Sequence, residues 1–173
     1  MWPMLQTIAS IGTLLVFVIS AFLALRQFRA NAHTNQLAAL QAVSNHYSGT
    51  DFQDWFDFAM NKLPDKWKDP AFREGLRADP IDRKAHPEVM LANWYEDIGI
   101  QIKYGVVDEE PVIEYLRDGP TRAWHALKPM IEFYRQIWGA WNFRNFEHLA
   151  RRSHAFYSCL DSPRDSSSRP VSS

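Results

Sequence analysis

The chain has 173 residues, of which 46% are hydrophobic and 14% aromatic, and its formal net charge is -1. That is room for a membrane anchor plus one domain with a packed core, and it excludes a disordered tail as the main body. A near-neutral balance lacks the basic footprint of a nucleic-acid binder, so no nucleic acid is expected as a partner.

Met4 to Leu25 holds twenty-two residues without a charged side chain and is followed by Arg26 and Arg29. At about 1.5 Å rise per residue such a helix reaches about 33 Å, enough for a hydrocarbon core of about 30 Å. The stretch therefore predicts one transmembrane helix, with Trp2 at the interface. No basic residue precedes the apolar run and the run is long, which argues against a cleavable leader, although Ala30-Asn31-Ala32 resembles a cleavage site. Arg26 and Arg29 are the only Lys, Arg, Asp or Glu among the first fifty residues. The positive-inside rule then places the following domain in the cytoplasm and the amino terminus outside, in a cell inner membrane. Ala9, Thr13, Ser20 and Ala24 bring small side chains to one side of the span, a pattern that permits close helix approach.

From Arg26 to about Tyr47 no Pro or Gly interrupts the chain, and Leu37, Leu40, Val43 and Tyr47 recur at helical spacing. The span is expected to continue as one long helix ending near Gly49. Thr50 and Asp51 are expected to cap a helix carrying Phe52, Trp55, Phe56 and Met60, which Pro64 ends. Residues 62–87, broken by four prolines, predict a loop with a short helix around Ala71 to Arg77. A strong helix is expected from Pro87 or Glu88 to Tyr104, with Leu91, Trp94, Tyr95, Ile98 and Ile102 on its apolar stripe and Gly105 beyond its end. Asp108 starts the next, which carries Val112, Ile113, Tyr115 and Leu116 and stops at Gly119-Pro120.

A helix from Thr121 carries Trp124, Leu127, Ile131, Tyr134 and Trp138, with a kink expected at Pro129. After a turn over 139–142, a last helix begins near Arg144 with Phe146, Leu149, Ala150, Phe156 and Tyr157. No window alternates with period two, so no sheet is expected. The fold class read from these patterns is all-α: a transmembrane anchor (1–25), a juxtamembrane helix (26–49), a small cytoplasmic helical bundle (50–160) and a Ser- and Pro-rich disordered tail (161–173).

Chemical signatures are sparse. Six histidines lack the i, i+4 spacing of a helical metal pair, and the lone Cys159 excludes an intramolecular disulfide framework or a multi-cysteine zinc site. No nucleophile elbow, phosphate loop or dinucleotide fingerprint occurs. Neither catalytic residues nor a metal or cofactor are expected. One polar set lies among aromatics: Glu96, Asp97, Arg135 and Glu147. If their helices pack together, Arg135 is positioned to pair with one of the acids, as a buried ion pair fixing register or as the centre of a ligand pocket.

Asp97-Ile98-Gly99, Tyr104-Gly105-Val106-Val107-Asp108, Trp124, Lys128-Pro129, Ile131, Arg135 and Asn145-Phe146-Glu147-His148-Leu149-Ala150 occur in an order that resembles a bacterial family of unknown function. The resemblance implies one N-terminal membrane helix followed by a small cytoplasmic helical domain, and it transfers no catalytic residue. The expected function is a single-pass membrane protein whose helical domain binds a protein partner or forms a homo-oligomer. The alternative is a membrane-tethered enzyme or small-ligand sensor with its pocket around Arg135.

Overall fold

The computed structural model describes residues 2–161, with the side chains of 16–27 and 36–160. Its elements are α1 (Trp2–Tyr47), α2 (Thr50–Asp57), a π-helical turn (Phe58–Lys62), α3 (Leu63–Lys66), α4 (Pro70–Glu74), a 3-10 turn (Gly75–Arg77), α5 (Pro87–Lys103), α6 (Glu109–Leu116), α7 (Gly119–Trp138) and α8 (Arg144–Asp161). Among the described residues every regular element is helical, in agreement with the all-α expectation. The chain divides into two units, Met1–Ala39 and Leu40–Ser173.

In the first unit α1 is helical throughout, in keeping with the expected long helix and with a stretch free of Pro and Gly from Arg26 on. Among the described residues no helix is long and apolar enough to cross a membrane. The expected transmembrane helix is therefore not supported: the side chains of residues 2–15, including Trp2, Ala9 and Thr13, lie outside the described set. The described remainder, Val16–Leu25, spans only about 15 Å, about half of a hydrocarbon core. Those residues are apolar on all sides and exposed, Phe17 at 72% and Phe22 at 65%. The expected tail beyond Asp161 also falls outside the described residues, and Asp161 itself closes α8.

In the second unit α5 is the central helix, packed against α2, the π turn, α7 and α8. Its predicted stripe is buried at Leu91, Trp94, Tyr95 and Ile98, whereas Ile102 is half-buried near the helix end. Around it close Val43 of α1, Phe52 of α2, Val112, Ile113 and Leu116 of α6, Leu127, Met130 and Ile131 of α7, and Phe146 and Leu149 of α8. Fully burying each such side chain stabilises the fold by about 1.5–3 kcal/mol relative to exposure. Rings knit the core: Tyr95 stacks on Phe146 at 4.8 Å, Phe52 meets Trp94 edge-on at 4.6 Å, and Trp124 meets Phe146 edge-on at 5.2 Å.

Three boundaries differ from expectation, each for a local reason. Gly49, not Thr50 or Asp51, is the N-cap of α2, and its carbonyl accepts the Gln53 N–H at 3.2 Å. The helix runs through Pro64 to Lys66 because the chain widens into the π turn just before it. The Leu63 N–H reaches back to Phe58 O, and Pro64 falls in the first turn of α3, where a missing donor costs little. Gly119-Pro120 likewise begins α7 instead of only ending α6, since Pro suits a first helical turn. Arg117, at φ 55, makes the break between the two, and the buried Ser153 hydroxyl donates to its carbonyl at 2.7 Å.

Candidate functional site

The structure brings together three of the four sequence-predicted polar residues and uses them to fasten the start of α8. The Glu96 carboxylate on α5 accepts from Asn145 Nδ2 at 2.7 Å and from the Phe146 backbone N–H at 2.8 Å. An acid at a helix N-terminus satisfies a donor that the helix cannot pair and is favoured by its dipole. Arg135 on α7 approaches the same place from the other side. Its Nε donates to Asn142 O at 2.9 Å, and its Nη2 to Glu147 Oε2 at 2.9 Å and to Phe143 O at 3.4 Å. Its guanidinium lies 5.6 Å from the Trp124 ring centroid. Gly99 completes the fit, because a Cβ there would stand 2.5 Å from the Asn145 carbonyl oxygen.

This arrangement is a latch between α5, α7 and α8. The Arg135–Glu147 pair is half-buried, with side-chain exposures of 22% and 33%, so the expected buried ion pair is a partly solvated one. Asp97 is exposed and makes no hydrogen bond or ion pair with the other three. The guanidinium faces carbonyls and a carboxylate of its own chain, the arrangement of a structural fastening.

A second polar centre escaped the sequence reading. His86 Nδ1 lies 2.8 Å from Glu88 Oε1, with side-chain exposures of 4% and 0%. Burial pushes the Glu88 carboxyl above its usual range, opposed by its hydrogen bond with His86. The His86 ring packs 4.5 Å from that of Phe72, and Gly75 leaves room for its Nε2. A signal was present: Glu88 falls at helical spacing with Leu91, Tyr95 and Ile98, which places a carboxylate on a buried stripe. Glu88 Oε2 and the Tyr95 hydroxyl are buried without a hydrogen-bond partner among the described residues.

Two concave places accompany these centres. One, of about 280 Å³, lies between the 78–83 loop, α5 and the C-terminal turns of α7 and includes Asp79, Arg83, Met90, Asn93, Tyr134 and Trp138. The other, of about 620 Å³, runs between the start of α6 and the end of α8 past Glu109, Arg152, Phe156 and Leu160. There Arg152 grips Glu109 with two bonds of 2.8 and 2.9 Å and holds its carboxyl below the usual range. Among the described residues no group of three or more His, Cys, Asp or Glu is placed to hold a metal ion.

The aromatics of the Asp51 to Trp67 region, candidates for an interaction face, are mostly absorbed by the fold. Phe52 is buried, while Trp55, Phe56, Phe58 and Trp67 are half-buried against His46, Arg122, Phe72 and Phe133. Among the described residues of the second unit the exposed large apolar side chains lie elsewhere, at Ile100, Tyr104, Val106, Trp141 and Leu160, with Tyr104 at 73%.

Compared with known families, residues 14–153 match a domain of unknown function, DUF4760. No curated protein and no solved structure matches the chain.

Proposed function

We propose that this chain, which belongs to the DUF4760 family, is a single-pass membrane protein whose helical domain acts as a protein-interaction or self-assembly module. The observation that carries the membrane part is the exposure of Val16, Phe17, Val18, Ile19, Phe22, Leu23 and Leu25, between 55% and 72%, on one continuous run of α1. Apolar side chains around the whole circumference of a helix call for an apolar surrounding on every side, which water does not supply. A bilayer does, and the uncharged sequence from Met4 extends the run to spanning length. Arg26 and Arg29, just after Leu25, mark the end of the apolar zone, and the positive-inside rule favours the cytoplasmic face of an inner membrane for the second unit.

The interaction part is supported by how the second unit uses its polar cluster and by what it leaves outside. Glu96, Arg135 and Glu147 of its sequence-predicted polar cluster are engaged in the latch around α8. Its exposed apolar surface at Ile100, Tyr104 and Val106, with Trp141, provides aromatic area of the kind that anchors protein contacts.

The experiment is alkaline carbonate extraction of membranes carrying the full chain, followed by cross-linking in the native membrane. Retention in the pellet, and a discrete cross-linked species that Tyr104→Ser weakens, support the proposal. Release into the supernatant refutes the anchor, and an exclusively monomeric pattern refutes the interaction role.

A further inference from the structure

We propose that the cavity between the 78–83 loop, α5 and α7 is a binding site for a small zwitterion with an apolar side group, an amino acid or its close analogue. The proposal rests on the second unit alone and is independent of the membrane reading.

The loop forming one wall is built and held at both ends. At its start, the Trp138 indole N–H donates to Leu76 O at 3.0 Å, and Leu76 is fully buried. At its end, His86 is anchored by Glu88 and Phe72 in the protein interior. Between these anchors Asp82 is committed to the backbone: its carboxylate accepts from Lys84 N at 2.9 Å and its carbonyl from His86 N at 3.0 Å. A 79–83 loop fixed in this way presents its remaining side chains without a large ordering cost on binding.

The remaining side chains are of two kinds. Trp138, Tyr134 and Met90 make an apolar wall, and the Tyr134 ring is itself braced 5.1 Å from Phe143. Asp79, Arg83, Asn93 and the Tyr134 hydroxyl make no hydrogen bond or ion pair among the described residues. Arg83 and Asp79 thus share one small cavity as a cation and an anion that do not neutralise each other by contact. Burial, and secondarily the Asp79 carboxylate, push the Tyr134 hydroxyl up, which keeps it protonated and able to donate.

Each ligand feature follows from one of these groups. The guanidinium of Arg83 fits a carboxylate as a planar fork, and the Asp79 carboxylate fits an ammonium. Asn93 adds a donor and an acceptor at the rim. The wall of Trp138 and Met90 takes an apolar group by area burial. A volume of about 280 Å³ sits at the lower edge of the range for small-molecule sites, about 300–1,000 Å³, and selects a compact ligand over a peptide chain.

The test is isothermal titration of the full chain in detergent micelles with L-phenylalanine, 3-phenylpropionate and 2-phenylethylamine, which keep both charges, only the anion and only the cation. L-phenylalanine is expected to bind saturably, and each single-charge probe about tenfold more weakly, in keeping with loss of one charge-assisted contact. Arg83→Gln should weaken L-phenylalanine about tenfold and leave 2-phenylethylamine unchanged; Asp79→Asn should weaken L-phenylalanine and leave 3-phenylpropionate unchanged. Both residues are exposed and without structural partners, so the variants should unfold like the parent. Absence of saturable binding by L-phenylalanine, equal binding of the three probes, or binding indifferent to both substitutions would overturn the assignment.

Discussion

Replacing Arg135 by Ala tests the latch at its most connected point. The guanidinium holds Asn142 O at 2.9 Å, Phe143 O at 3.4 Å and Glu147 Oε2 at 2.9 Å, and faces Trp124 at 5.6 Å. With Glu147 one-third exposed, water replaces part of the ion pair, and that contact is worth at most about 1 kcal/mol. The bonds to the two carbonyls of the turn contribute about 1–1.5 kcal/mol together, and the ring contact about 0.5 kcal/mol. The variant should therefore lose about 2–3 kcal/mol, read as a lower urea midpoint with unchanged slope or as a Tm lower by roughly 5–10 °C. Arg135→Lys should recover only part of this, because an ammonium cannot span the carbonyls and the carboxylate in one plane. A double-mutant cycle with Glu147→Gln should give a coupling of about 0.5–1 kcal/mol. A loss below about 0.5 kcal/mol for Arg135→Ala would refute the latch and reopen a functional role for the guanidinium.

Three further substitutions probe neighbouring parts of the same architecture. Glu96→Ala removes both acceptors at the start of α8 and should cost about 1–2 kcal/mol, with faster hydrogen exchange in the first turn of α8 than elsewhere. Gly99→Ala drives a Cβ to within 2.5 Å of the Asn145 carbonyl oxygen and should destabilise by about 1–3 kcal/mol; a neutral urea midpoint would show that α5 and α8 do not approach so closely. Glu88 has a folded-state pKa raised from 4.5, so the native state holds its proton longer than the unfolded chain. The stability this contributes is present below about pH 4.5 and is lost as pH rises through the folded pKa. Glu88→Gln should flatten the pH dependence of Tm in that window, and an unchanged profile would contradict the burial argument.

Helix existence was legible because the apolar spacing is strong. Leu91, Trp94, Tyr95 and Ile98, and likewise Leu127 and Ile131, repeat at helical intervals and are buried where the pattern places them. Boundaries at proline were less so, since Pro64 and Pro120 stop a helix only when the chain has not already prepared a place for them. A π turn and a first helical turn are such places, and both depend on tertiary packing. Of the candidate cluster, residue types alone pointed to Arg135 pairing with an acid, and Glu147 is that acid. Residue types did not show that the Glu96 carboxylate faces a helix terminus, because that requires knowing where α8 begins relative to α5. The short helix expected around Ala71 to Arg77 is present as α4 and the 3-10 turn, but the order of the rest of the 62–87 stretch was hidden for a similar reason: its anchors, Leu76 with Trp138 and His86 with Glu88, join residues whose significance lies in burial, and its many prolines and charges suggest a loop.

The central claim, a membrane-anchored domain on the cytoplasmic side, can be tested with the wild-type chain. Cys159 is the single cysteine, and its thiol is exposed on α8. Labelling with a membrane-impermeant maleimide should modify it in inverted inner-membrane vesicles and spare it in intact right-side-out spheroplasts. Modification in intact spheroplasts would reverse the orientation, and recovery of the labelled protein free of membranes would contradict the anchor.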